Sequence, residues 1–305
     1  MSKTFIQAQN DLAVLANDPL LAVSGASNAT AQILLNMGVK YIMAMADWNF
    51  NKTSTDITSV ASQQAYAIPY NVARVDKVFV YANSLWYAPE EIKSEEQWRK
   101  MNYTTSVYSD VAQYWHYSLV DGKVEIFPTP ANAGSTIRVL YTKKIRDLSQ
   151  TAGYATGTIS TTAGSGAVVG VGTTFTARMA GQGLKITSAT TPIGDYWLEI
   201  VSFTDTTNIS VKPTIPTTLA GASYTINEML PFPDGFEDLA TWFALDSYYQ
   251  SREMTAISNR YSSMWRDALG ELKARDQRTT GGILKQEPTS GIVNPNYNPW
   301  SIEIT

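Results

Sequence analysis

The chain has 305 residues, 44% of them hydrophobic and 16% charged, with a formal net charge of -4 and no cysteine. That length suits about two domains. The acidic balance argues against a dedicated nucleic-acid binder, which carries a basic stripe, and the missing cysteines exclude disulfides, thiolate metal sites and thiol nucleophiles.

The opening residues, MSKTFIQAQNDLAVL, lack a cationic segment followed by an apolar run, so no secretory signal is read there. Apolar stretches are broken well short of the ~20 residues that span a bilayer. The expectation is a soluble chain made in a cytoplasm.

Residues 4–16 read as a short helix with Phe5, Leu12 and Leu15 apolar. A second helix runs from Ser27 to about Trp48, with Ser27 or Asn28 as its cap. Ile33, Met37, Tyr41, Met45 and Trp48 recur at steps of three and four, which predicts one buried face. From about 62 to 145 the pattern turns to strands. AYAIP is a short strand stopped by Pro69, and a hairpin turns at Asn83 and Ser84. Ser94 and Gln97 have capping-box spacing. Asp121-Gly122 lies between two strand-like runs and suits a type I′ turn, because both central residues need positive φ.

Residues 153–227 are rich in Gly, Thr, Ser, Ala and Val and show no helical period, which predicts a small all-β module. Its expected strands are 157–161, 183–187, 196–203, 208–211 and 224–226. A helix is then expected to start at Asp234. A further segment carries Met254, Ile257, Tyr261, Met264, Ala268 and Leu272 on one face, in one long helix or two joined near Glu253. Gly281-Gly282 is expected to end the folded part. The rest, with Pro288, Pro295 and Pro299, is expected to be extended and mobile. The chain leaves the main body near Leu148 and returns near Met229, so the β module reads as an insertion.

The glycines of AVVGVGTTFTARMAGQGLKI raise the question of a phosphate loop. No lysine follows Gly170 or Gly172, and no helix follows to hold an anion, so Gly170, Gly172, Gly181 and Gly183 read as turn residues. His116 is the single histidine, which rules out a two-histidine site and suits a strand face. Asp234, Glu237 and Asp238 suit a helix start, with Asp234 as the cap. Glu90-Glu91 and Glu95-Glu96 lie in a turn and at a helix start, and paired acids alone carry little weight for glycoside hydrolysis. No catalytic residue, cofactor or metal site is expected. Tyr297 and Trp300 stand in a tail too short to bury them, so they read as anchors for a neighbour's pocket, and SIEIT could add a strand to another chain's sheet edge.

Several stretches in order resemble the head-to-tail adaptor proteins of tailed bacteriophages: YIMAMADWNF, AYAIPYNVARVDKVFV, DGKVEIFPTPANAGSTIRVLYTKK and LPFPDGFEDLATWFALDSYY. GSGAVVGVGTTFTARMAGQGLKI with YWLEIVSFTDTTNISV resembles a small β domain of phage structural proteins. The resemblance covers about residues 27–275. It implies an α+β fold: a helical bundle of the N- and C-terminal helices with an attached antiparallel β region, an inserted all-β module and an extended C-terminal tail. The expected domains are a body of 1–150 and 229–276, a module of 151–228 and an arm of 277–305.

The resemblance also implies a non-enzymatic virion protein at the head-tail interface, in a homo-oligomeric, dodecameric ring. Its partners would be the portal protein and a tail or nozzle protein. Double-stranded DNA would pass without sequence-specific binding, and no membrane is involved. Partner-binding candidates in the arm are Ile292, Tyr297, Trp300, Ile302 and Ile304. Ring-interface candidates are Tyr248, Tyr249, Arg252 and Trp265. The alternatives are a carbohydrate- or receptor-binding module of a phage tail or surface protein, holding a glycan through Trp197 or neighbouring tyrosines, and an enzyme of the acid-pair type.

Overall fold

A computed structural model describes the chain except for residues 1–2, 27, 70, 83, 104–115, 188–196, 284–291 and 294–305. The helices are α1 (Phe5–Leu15), α2 (Asn28–Ala44), α3 (Glu95–Tyr103), α4 (Leu239–Gln250) and α5 (Thr255–Ile283). The first strands are β1 (Lys52–Thr58), β2 (Ala65–Ala67), β3 (Val72–Ala82), β4 (Leu85–Tyr87), β5 (Glu90–Glu91), β6 (His116–Val120), β7 (Lys123–Phe127) and β8 (Thr136–Lys143). Then follow β9 (Thr158–Thr161), β10 (Ser165–Val171), β11 (Gly183–Ile186), β12 (Leu198–Asp205), β13 (Asn208–Ile215), β14 (Leu219–Ala222), β15 (Tyr224–Asn227) and β16 (Ile292–Val293). They fall into two units, residues 1–50 with 145–279, and residues 51–144 with 280–305.

In the first unit, Thr4 opens α1 with a reciprocal cap. Its hydroxyl accepts the Gln7 N–H at 3.1 Å, and the Gln7 side chain accepts the Thr4 N–H at 2.9 Å. Phe5, Leu12, Leu35, Ile42, Trp48, Leu239 and Leu272 fill one core shared by α1, α2, α4 and α5. At Gly38 an added Cβ would stand 3.1 Å from the Ala240 carbonyl oxygen and from the Phe243 ring, so the missing side chain sets how closely α2 approaches α4. Glu253 takes φ 60° between α4 and α5, which settles the expected break there as two helices.

The same unit holds a seven-stranded sheet in the order β14-β9-β10-β13-β12-β11-β15, curled into a nearly closed barrel around Ile159, Phe175, Leu184, Ile200, Ile209 and Ile226. Its entry and exit are tied together. The buried Glu228 carboxylate accepts the Ser149 and Gln150 N–H groups at 2.6 and 2.9 Å, and Arg178 donates to it at 3.4 Å. The Asn36 side chain of α2 exchanges two 2.8 Å hydrogen bonds with the Leu148 backbone.

The second unit has two sheets, β1-β8-β3-β4-β16 and β2-β7-β6-β5. Val78, Val80, Tyr117, Ile126, Ile137 and Val139 form their shared core. Asp121 and Gly122 link β6 to β7 with φ 48° and 71°, the positive angles the Asp-Gly pair predicts.

The expected fold class is overturned. Among the described residues the chain is mostly β, with sixteen strands in three sheets against five helices, and not a helical bundle with an attached β region. The helical periodicities at both ends of the chain build only one of the three cores, and strands fill the other two.

Other expectations also change. Ile33, Met37, Tyr41 and Met45 do not form a buried face: they are 61%, 51%, 43% and 39% exposed, while Ala31, Leu35, Val39 and Ile42 point inward. Asp234 is not a helix cap, because α4 begins five residues later, after a turn in which Gly235 takes φ 93°. α5 continues through Gly281-Gly282 to Ile283. Ser27 and Asn83 lie outside the described residues.

Candidate assembly surfaces

The stretch that posed the phosphate question resolves into strand, turn and strand. Gly170 is within β10, where an added Cβ would come within 2.2 Å of the Thr173 hydroxyl oxygen. Gly172 and Gly181 turn the chain at φ 69° and 87°, and Gly183 opens β11. A Cβ at Gly183 would press on Met229 and on the Trp197 ring, so the half-buried Trp197 packs across this glycine.

The acids expected to be capping or structural fall in separate places. Arg275 donates to the Asp234 main-chain carbonyl oxygen at 2.8 Å, Glu237 accepts the Gly235 N–H at 2.7 Å, and Asp238 pairs with Lys3 at 2.5 Å. Glu95 and Glu96 pair with Arg99 and Lys100 along α3. Glu90-Glu91 forms β5 beside β6, where His116 lies opposite Phe127 on the other side. The His116 Nδ1 is buried with no hydrogen-bond partner among the described residues. Among the described residues no group of three or more His, Cys, Asp or Glu is placed to hold a metal ion.

Of the ring-interface candidates, Tyr248, Tyr249 and Arg252 meet at the α4–α5 corner, and Trp265 stands further along α5. Tyr248, Tyr249 and Trp265 are buried. The Tyr248 hydroxyl donates to Asp18 at 2.7 Å, Tyr249 donates to the Leu15 carbonyl at 3.3 Å, and the Trp265 indole donates to Asp246 at 3.0 Å. Arg252 is exposed, pairs with Asp18 at 3.3 Å and lies 4.4 Å over the Tyr248 ring. Burial, reinforced by the hydrogen bond to Asp18, pushes the Tyr248 phenol up to about 12. That same hydrogen bond draws the Asp18 carboxyl below its ordinary range.

What the sequence reading missed is the outward side of α2. Ile33, Met37, Tyr41 and Met45 follow one another at steps of four and make an apolar stripe on the helix surface. Tyr41 extends it onto the Phe243 and Trp265 rings, at 5.1 and 5.9 Å between centroids. In the second unit, Trp86 of β4 stacks obliquely on Tyr81, and Arg138 lies 4.6 Å over its ring while forking onto Asp56 at 2.7 and 2.8 Å. Of the arm candidates, Ile292 is described by its backbone, in β16 beside β4. Tyr297, Trp300, Ile302 and Ile304 lie outside the described residues.

An apolar stripe on a helix and a short strand laid along a sheet edge are features that suit burial against another surface. The chain belongs to the SU10 adaptor protein family, which matches residues 3–165. It is thus a bacteriophage adaptor-type structural protein and virion component, a role that is not enzymatic. The match spans α1 through the start of β10 and leaves out most of the barrel, α4, α5 and the arm. None of the curated proteins matches the chain. Among the described residues, no helix is long and apolar enough to cross a membrane.

Proposed function

We propose that the chain is the subunit of a head-to-tail adaptor ring, a dodecamer that docks on the portal, extends the DNA channel and presents its other face to a tail or nozzle protein. The observation that carries this reading is the family match over residues 3–165. The α2 stripe supports it, because a closed ring joins two different faces of each subunit and needs uncharged surface to bury. Here the neighbouring copy covers Ile33, Met37, Tyr41 and Met45, and the expected ring residues Tyr248, Tyr249 and Trp265 act by holding α4 and α5 behind that surface. The net charge of -4 suits a channel wall past which DNA slides without sequence-specific binding.

In this reading the body is residues 1–150 and 229–276, and residues 151–228 are an inserted module on the outer rim or against a tail component. The clamp of Glu228 on Ser149 and Gln150 supports a module whose two ends leave the body at one place. The arm of 277–305, with Ile292, Tyr297, Trp300, Ile302 and Ile304, docks on the portal or the adjacent subunit. Removal of residues 283–305 is expected to leave a folded protein that no longer co-sediments with portal rings. Co-sedimentation equal to that of the full chain would contradict arm docking.

A further inference from the structure

In the second unit, β4 pairs with β3 on one side and with β16 on the other. The β4–β16 pairing is parallel, with Ile292 opposite Trp86 and Val293 opposite Tyr87. Main-chain groups make such a ladder, so any strand with free backbone and the right length can fill the edge. Both strands have a built-in stop: Pro89 follows Tyr87 by two residues, and Pro295 follows Val293 by two. Proline has no N–H to donate, which confines the ladder to a short run and holds its register.

A two-residue ladder is marginal by itself, and every copy of the chain carries the same edge and the same segment. Exchange between copies therefore replaces each pairing with an identical one. The connection from Ile283 to Ile292 can reach at most about 30 Å when fully extended. A closed ring asks each copy to give one element and receive another, and assembly raises the local concentration of the neighbour's arm.

We infer that the β4 edge is a strand socket, filled in the assembled ring by Ile292–Val293 of a second copy of this chain. The inference rests on the reading of the protein as a ring subunit and names where part of its arm goes.

The chain has no cysteine, so engineered ones report cleanly. Neighbouring strands lie about 4.8 Å apart, within the Cα separations that disulfides bridge. Full-length Tyr87→Cys and Val293→Cys proteins, carrying tags of different mass, are mixed, assembled on portal rings and oxidised. The expected product is the mixed disulfide, several-fold in excess of either same-cysteine dimer. Adding Ile292→Pro to the Val293→Cys chain, which removes a ladder N–H, is expected to abolish it. If the mixture gives no mixed disulfide while a chain carrying both Tyr87→Cys and Val293→Cys closes within itself, the arm seats in cis and the exchange is wrong. If neither forms, the socket itself is wrong. Portal co-sedimentation of Ile292→Pro is scored separately, so the adaptor reading stands or falls on a different measurement.

Discussion

Asp276 shows how much one buried side chain does in this fold. Its carboxylate accepts the Asn49 N–H at 3.0 and 3.1 Å and the Phe50 N–H at 3.2 Å, capping the short 3-10 turn Asn49–Asn51 from α5. Removing it strands two amide groups, so Asp276→Ala is expected to cost about 2–3 kcal/mol in denaturant unfolding. Tyr248 sets an alkaline limit. Its folded pKa, about 12, lies above the ordinary value of 10.0. The stabilisation it contributes is therefore complete below pH 10 and is lost as the pH climbs to about 12. Tyr117, pushed up to about 12 by burial and the Glu91 carboxylate, adds to the same decline. Stability measured across this window should fall less steeply in Tyr248→Phe than in the parent. Equal slopes would mean that the phenol ionises freely in the folded protein.

At the scale of elements, α2 separates folding from assembly. Leu35 is wholly buried, and Leu35→Ala is expected to destabilise the subunit by about 2–5 kcal/mol. Met37, one stripe over, is half exposed. Met37→Glu is expected to shift monomer stability by no more than about 0.5 kcal/mol and to stop ring formation on portals, read by sedimentation. A ring that forms normally would remove α2 from the interface.

The same helix shows where a sequence is mute. Ala31, Leu35, Val39 and Ile42 repeat as regularly as Ile33, Met37, Tyr41 and Met45, so periodicity shows a helix but not which side faces in. Tertiary packing against α1 and α4 decides that. The Asp121-Gly122 hairpin and the break at Glu253 were legible because their determinants are local. β10 and β14 were not, because glycines at 166, 170 and 221 look like turns until a neighbouring strand pairs with them. The sequence places the start of α4 too early because the acids that favour a first turn are here spent on the preceding loop and on Lys3. The acceptor for β16 lies some two hundred residues earlier in the chain, and nothing in the local pattern of either strand announces it.

For the whole molecule, the mostly β fold leaves the helices as one core among three, with the barrel tied to the helical core at Glu228 and Asn36. Glu228→Ala removes the acceptor for the Ser149 and Gln150 amides and for Arg178, and limited proteolysis near residue 150 is expected to accelerate while the barrel stays resistant. Cleavage unchanged from the parent would show that the remaining backbone pairings suffice. Reconstructing the portal–tail joint of purified virions, with this chain fitted into it, decides whether the proposed ring stands there. One dodecameric layer of this chain is expected below the portal, adjacent copies meeting along α2. Its absence from particles, or its presence only on the outer capsid or fibres, would rule the ring out.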